Sequence, residues 1–252
     1  ANPRIRRNAL STLINPIMTF LPHWLPHIGL IWATWLAYAC LIAGCFVRHK
    51  SSLHLLSQLP RLPIAIALFA LLWALNVRVE AGQLAGMSYH LLGLNLISLM
   101  LGTPMALLLG SGILLLFGIA QQSSGFVAPF ALNALCVVVP ACLLNALIRQ
   151  QLLCRLPKNV FIYIFCAGFL SGAFGMLLTG LLVCCVLYFA DVLSSTIIWQ
   201  QAFPIFFLLA WGEAFLSGIG AAVCVAFKPE QLATFDDAVY LRQPTNRIWD
   251  KE

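Results

Sequence analysis

Residues 86–96 read Gly-Met-Ser-Tyr-His-Leu-Leu-Gly-Leu-Asn-Leu, and His90 within them is the only histidine beyond residue 54. A neutral imidazole offers one N–H donor and one lone pair, which can accept a hydrogen bond or ligate a metal. In sequence this apolar, such a group is costly unless it has a partner. Glu213, after Trp211-Gly212, is a carboxylate inside another apolar run, able to bond a neighbouring helix or to carry a proton. Asn133, in Ala131-Leu132-Asn133-Ala134-Leu135, adds an amide suited to an interhelical hydrogen bond. His23 and His27 stand at i and i+4, a spacing that puts two imidazoles on one helix face, as metal sites require. Pro26 between them interrupts a regular helix, so the other reading is a pair of interfacial histidines flanking Trp24 in an aromatic belt. For His90 the other reading is a hydrogen bond tying two helices together.

The elements that must position these groups are membrane helices. Hydrophobic residues make up 62% of the 252 residues and charged ones 9%, against about 45–50% and about 25% in a soluble domain. The apolar runs are continuous and about 20 residues long rather than alternating, which excludes a β-barrel. The fold class is therefore all-α, a polytopic membrane helical bundle of about seven transmembrane helices. Spans are expected near 27–47, 62–77, 85–101, 104–120, 126–148, 159–190 and 200–227. The fifth should bend at Pro140, and the sixth is long enough to tilt or protrude. Gly168-x-x-x-Gly172, Gly175 and Gly180 supply a small face for close helix approach, and Ala33-x-x-x-Ala37 offers another. Residues 1–26 form a basic arm and a proline-broken interfacial segment, 27–227 the bundle, and 228–252 a polar cytoplasmic tail.

The net charge of +6 sits in loops and tails, where topology and lipid headgroups explain it and no nucleic-acid partner is called for. With the tail cytoplasmic, the loops 48–61 and 149–158 and the tail hold Arg48, Lys50, Arg61, Arg149, Arg155, Lys158, Lys228, Arg242, Arg247 and Lys251, and the opposite loops hold only Arg78. Arg4, Arg6 and Arg7 run against that pattern: either the arm is exported, or residues 9–26 cross as an eighth span. Seven is the preferred count, in a multi-pass protein of the inner membrane. Eight of the nine cysteines fall inside apolar runs without a C-x-x-C pair, as packing residues. No nucleotide-binding or hydrolase motif occurs, so energy from ATP would have to come from another subunit.

Several segments in order resemble the cobalt/nickel-type permease subunits of energy-coupling-factor ABC transporters. Gly86 to Gly93 is similar to their "GTS-x-HLLG" segment, Asn133-Ala134-Leu135 to their Asn-Ala-Leu, Gly212 to Gly218 to their "GE" helix, and Lys228-Pro229-Glu230 to the motif closing their last span. The tail Ala233 to Leu241 is similar to that of a proteobacterial branch of the family. The resemblance covers roughly residues 62–241. It implies a substrate-capture subunit for a divalent transition metal (nickel, cobalt, copper or zinc) that partners other membrane subunits, a second transmembrane permease and ATPase subunits. It also implies His90 as a metal ligand, with Asn133 and Glu213 supporting the substrate cavity. The family's other ligands come from an N-terminus beginning Met-His. Here the chain before the first span reads Asn15-Pro16-Ile17-Met18-Thr19-Phe20-Leu21-Pro22, and His23 or His27 would have to replace them.

Two functional readings follow: metal capture through His90, His23 and His27, or a non-catalytic accessory subunit of a larger membrane complex that keeps the fold after losing the site. An intramembrane enzyme would need three or more convergent histidines and carboxylates, which the spans do not offer.

Overall fold

The computed structural model describes residues 28–48, 59–79, 84, 88–122 and 126–240. The proline-broken segment 9–26, His23 and His27 lie outside the described residues. Among the described residues, five helices are long and apolar enough to cross a membrane. They are α1 (Ile28–Arg48), α4 (Thr103–Gln122), α5 (Phe130–Leu152), α6 (Val160–Phe189) and α7 (Ser195–Phe227). Two shorter helices, α2 (Leu62–Ala74) and α3 (Leu94–Leu101), complete an all-α membrane bundle, followed by the turn α8 (Asp237–Tyr240).

The expected spans at 62–77 and 85–101 are thus shorter helices than their hydropathy suggests. At about 1.5 Å per residue, α2 rises only about 20 Å and α3 about 12 Å, against a hydrocarbon core of about 30 Å. Residues 85–101 do not form one continuous helix. Ser88–Tyr89 (β2) pairs antiparallel with Val77–Arg78 (β1), Val77 opposite Tyr89, and the chain stays non-helical to Gly93. Gly93 then takes φ +67° as the residue before α3, a left-handed conformation that glycine adopts without steric cost. Gly102, also at positive φ, ends α3, and Pro104 falls in the first turn of α4, where its missing N–H costs no ladder bond.

The long helices are not uniform. Wide π-type turns interrupt them at Ala134–Val138, Ile148–Leu152, Tyr163–Leu170 and Ile198–Ala202. Two of the four are followed within two residues by a proline, Pro140 and Pro204. A proline lacks the N–H that would continue the ladder and crowds the preceding turn, so the helix widens there. The irregularity expected at Pro140 takes this form.

Glycines set the closest helix approach. A Cβ on Gly168 would stand 3.1 Å from the Gly218 Cα, one on Gly172 2.8 Å from the Glu213 carbonyl oxygen, and one on Gly175 3.2 Å from the Ala141 Cα. Through these positions α6 lies against both α7 and α5 with backbones nearly touching. In contrast, α1 leans on the bundle mainly through Trp35 and Tyr38, whose rings meet Phe130 at 5.5 and 5.7 Å, and turns Trp32 and Leu36 outward.

The first part of the tail belongs to the bundle. Ala233 N–H donates to the Met100 carbonyl at 3.1 Å, and Thr234 donates to the Leu99 carbonyl through both N–H (3.3 Å) and hydroxyl (3.0 Å). Those are orphan carbonyls at the C-terminus of α3, which need partners where water is scarce. Tyr163, Phe235 and Tyr240 stack beside them, and Arg61 Nε donates to the Glu230 carbonyl at 2.7 Å. One end of the bundle therefore collects Arg61, Arg149 and the start of the tail.

Replacing Gly172 by leucine drives a side chain into the Glu213 backbone. The expected loss is about 1–3 kcal/mol or more, seen as a lower thermal midpoint in detergent. The same change at Gly29, which has no atom within 4 Å of its Cβ position, should leave the midpoint unchanged.

Candidate functional site

Two successive peptide groups carry the site. The peptide joining Leu91 to Leu92 presents its carbonyl to His90 Nδ1 at 3.0 Å and its N–H to Glu213 Oε2 at 3.0 Å. The next, joining Leu92 to Gly93, presents its carbonyl to Trp73 Nε1–H at 3.1 Å and its N–H to the same Glu213 oxygen at 3.2 Å. Four side-chain hydrogen bonds thus hold two peptide planes at both edges. They replace the ladder bonds that residues 91–93 forgo by leaving helical geometry.

Each clamp comes from a different helix. Trp73 sits in the last turn of α2, and Glu213 in the middle of α7. The Trp73 ring also lies against the His90 imidazole, with centroids 4.8 Å apart and planes tilted by 48°, and meets Phe69 and Phe117 edge-on. Leu91 packs over Gly212, where a Cβ would come within 2.9 Å of its Cδ2, so the residue before Glu213 must be small. Tyr89 is buried against Phe206 at 5.6 Å, fixing the other side of the histidine.

His90 is 2% exposed and Glu213 1%. A carbonyl can only accept, so the contact with Leu91 places the proton on Nδ1 and leaves Nε2 with its lone pair. Among the described residues, Nε2 has no hydrogen-bond partner, and neither does Glu213 Oε1. Two buried polar atoms of this kind in one clamped segment are unusual, since most such atoms are satisfied. A neutral imidazole whose far nitrogen is held by a carbonyl is also the usual state of a metal-ligating histidine.

A second polar cluster lies toward the basic end. Asn95 Nδ2 donates to the carbonyls of Ala167 and Gly168 at 3.1 and 2.9 Å, both inside the wide turn of α6. Its Oδ1 accepts from Asn145 Nδ2 and Ser171 Oγ, each at 2.7 Å. Asn145 Oδ1 in turn accepts from Arg149 Nε at 2.8 Å, and Arg149 Nη2 donates to Thr103 Oγ1 at 3.1 Å. Asn95 is two residues beyond Gly93, so the cluster fixes the helix that begins at the histidine segment.

Of the expected site residues, the structure brings His90 and Glu213 together, not in direct contact but through one peptide group. Asn133 is fully buried at the start of α5, where its amide donates to the Pro129 carbonyl at 3.1 Å in its own turn. Trp73, Asn95, Asn145 and Arg149 were not singled out from the sequence. An asparagine in an apolar run was the signal available for two of them, whereas Arg149 read as an ordinary loop cation. Among the described residues no group of three or more histidines, cysteines, aspartates and glutamates converges as a metal cluster.

Residues 25–231 match the family model of the cobalt uptake substrate-specific transmembrane region, CbiM. No curated protein and no solved structure matches the chain.

Replacing Asn95 by leucine removes the acceptor shared by Asn145 Nδ2 and Ser171 Oγ and takes a donor from the Gly168 carbonyl, while Asn145 Nδ2 keeps the Ala167 carbonyl at 3.3 Å. The expected cost is about 1–3 kcal/mol, read as a fall in thermal midpoint in detergent. Because the two asparagines act as a unit, Asn95→Leu and Asn145→Leu together should cost less than their sum. Strict additivity would show that the cluster is not cooperative.

Proposed function

The chain belongs to the family of cobalt uptake substrate-specific transmembrane regions, and on that premise we propose that it captures a divalent transition-metal ion, with His90 Nε2 as one ligand. It is a multi-pass membrane component of a transport family rather than of a known enzyme family. The single observation that carries the proposal is the state of His90: buried, with Nδ1 committed to a carbonyl and Nε2 without a partner among the described residues. An imidazole held in this way offers a fixed, neutral nitrogen to an ion such as cobalt or nickel.

One imidazole does not hold an ion. The proposal assigns further ligands to the segment before α1, with His23 and His27 as the candidates. Glu213 and Asn133 support the cavity rather than the ion, Glu213 through the backbone amides it binds. The metal's charge favours entry into a polar pocket of low dielectric only when ligands replace its water, which is why the ligand set must be complete before the ion is retained.

We further assign the end bearing Arg61, Arg149, Arg155, Lys158 and Lys228 to the cytoplasmic side of an inner membrane. The support is the excess of positive loops at that end. Uptake against a gradient then needs partner subunits at that end, a second transmembrane permease and ATPases, since this chain has no nucleotide-binding motif.

The test is cobalt(II) and nickel(II) binding by the purified chain in detergent, by equilibrium dialysis with metal analysis. His90→Ala should weaken binding by more than about 100-fold, exceeding the 10–100-fold typical of groups that only support a ligand. His23→Ala with His27→Ala should lower it again. An unchanged stoichiometry and affinity in His90→Ala, with the thermal midpoint preserved, overturns the site and leaves an accessory subunit as the alternative.

A further inference from the structure

We propose that Glu213 is a positioning residue that sets the tautomer of His90 through a single peptide group. The role assigned to that tautomer rests on the metal-capture reading above, whereas the relay itself is a property of the metal-free protein.

The peptide between Leu91 and Leu92 is a planar, resonance-coupled unit with a donor at one edge and an acceptor at the other. Glu213 Oε2 takes the donor edge at 3.0 Å, and His90 Nδ1–H binds the acceptor edge, also at 3.0 Å. Fixing the N–H fixes the direction of the carbonyl, because the plane cannot twist. Accepting from the N–H also polarises the amide toward its oxygen, so each bond strengthens the other. The carbonyl accepts only a proton-bearing Nδ1, and Nε2 is left as the free base.

Four further contacts remove the freedom that would let this plane rotate. The same carboxylate oxygen binds the Gly93 N–H at 3.2 Å, and Trp73 binds the intervening Leu92 carbonyl at 3.1 Å. On α7 the Glu213 backbone is pressed against Gly172, and Gly212 is covered by Leu91. The carboxylate is therefore held from behind while it holds the loop in front. Metal-binding histidines elsewhere are oriented by a carboxylate or carbonyl bonded directly to the far ring nitrogen. Here the two devices act in series, with the carboxylate acting on the carbonyl.

The residue type matters. An anionic acceptor forms hydrogen bonds roughly twice as strong as a neutral one. A glutamine at 213 would keep an acceptor oxygen but bring an NH2 group into the buried position where Oε1 has no partner. The amide would then have to choose between satisfying the loop and satisfying itself. The bland role for Glu213 is that of a charge at the N-terminus of α3, which would stabilise the fold without selecting a tautomer.

The two roles separate in the 15N spectrum of metal-free, histidine-labelled full-length protein in micelles, with His90→Gln identifying the His90 signals. Wild type should show a pyrrole-like Nδ1 and a pyridine-like Nε2. Glu213→Gln should convert this to a mixture of tautomers and weaken cobalt(II) binding by about 10–100-fold; Glu213→Asp, which keeps the carboxyl group, should restore the single tautomer in part. A wild-type Nε2–H tautomer overturns the proposal without any variant. So does a Glu213→Gln protein that keeps one Nδ1–H tautomer, whether or not its cobalt affinity falls. Failure of the metal site appears separately, as unchanged binding in His90→Ala.

Discussion

The Glu213 carboxylate against the amides of Leu92 and Gly93 is the contact that lets this chain abandon helical geometry inside an apolar bundle. Away from water every peptide N–H and C=O needs a protein partner, and a helix normally supplies them all. Residues 88–93 draw them instead from a two-residue strand pair, a tryptophan on α2 and a glutamate on α7. That arrangement lets a buried imidazole sit at the entrance of a short helix rather than along a long one. A histidine within a regular span would have its ring directed by helix periodicity alone; here its direction is set by three separate parts of the fold.

The same economy of backbone partners recurs at the other end of α3. Its first turn begins beside Glu213, its middle is anchored by Asn95 to a wide turn of α6, and its last carbonyls are taken by the tail. Wide turns expose carbonyls that ordinary helix does not, and Asn95 and Asn145 use them. The result is a short helix with little lateral freedom, packed against α4 through Leu94 and Gly110. Close approach of α6 and α7 at Gly168, Gly172 and Gly218 supplies the rigid wall behind it.

Much of the scaffold was legible in the sequence because hydropathy and chain length decide it. Runs near 27–47, 104–120, 126–148, 159–190 and 200–227 become α1 and α4 to α7 with ends shifted by a few residues, and the glycines of α6 do meet a neighbouring backbone. Residues 85–101 misled for a physical reason: an apolar run looks the same whether it is helical or extended with side-chain partners. The partner of Gly93 lies 120 positions away, and nothing local announces it. His90 and Glu213 stood out as polar groups in apolar sequence, but their connection through a peptide could not be read from either. Arg149 looked like a loop cation because α5 runs on past it to Leu152, which puts Asn145 one turn away, and because Thr103 faces it only once α4 and α5 are packed. The tail read only as a polar segment by composition, although Leu232 is 1% exposed and Thr234 bonds the end of α3.

That return of the tail also places the histidine segment on a clock. Thr234 and Leu99 are 135 residues apart, and at ordinary elongation rates the ribosome needs on the order of ten seconds to make the intervening chain. During that interval α3 has been synthesised but its terminal carbonyls have no tail to receive them, and Glu213, about 20 residues before Thr234, has only just appeared. The segment bearing His90 therefore acquires both of its fixed ends almost at once, when α7 and the residues after it are made. Assembly of this region waits on that stretch, with the earlier helices as a cradle for α7.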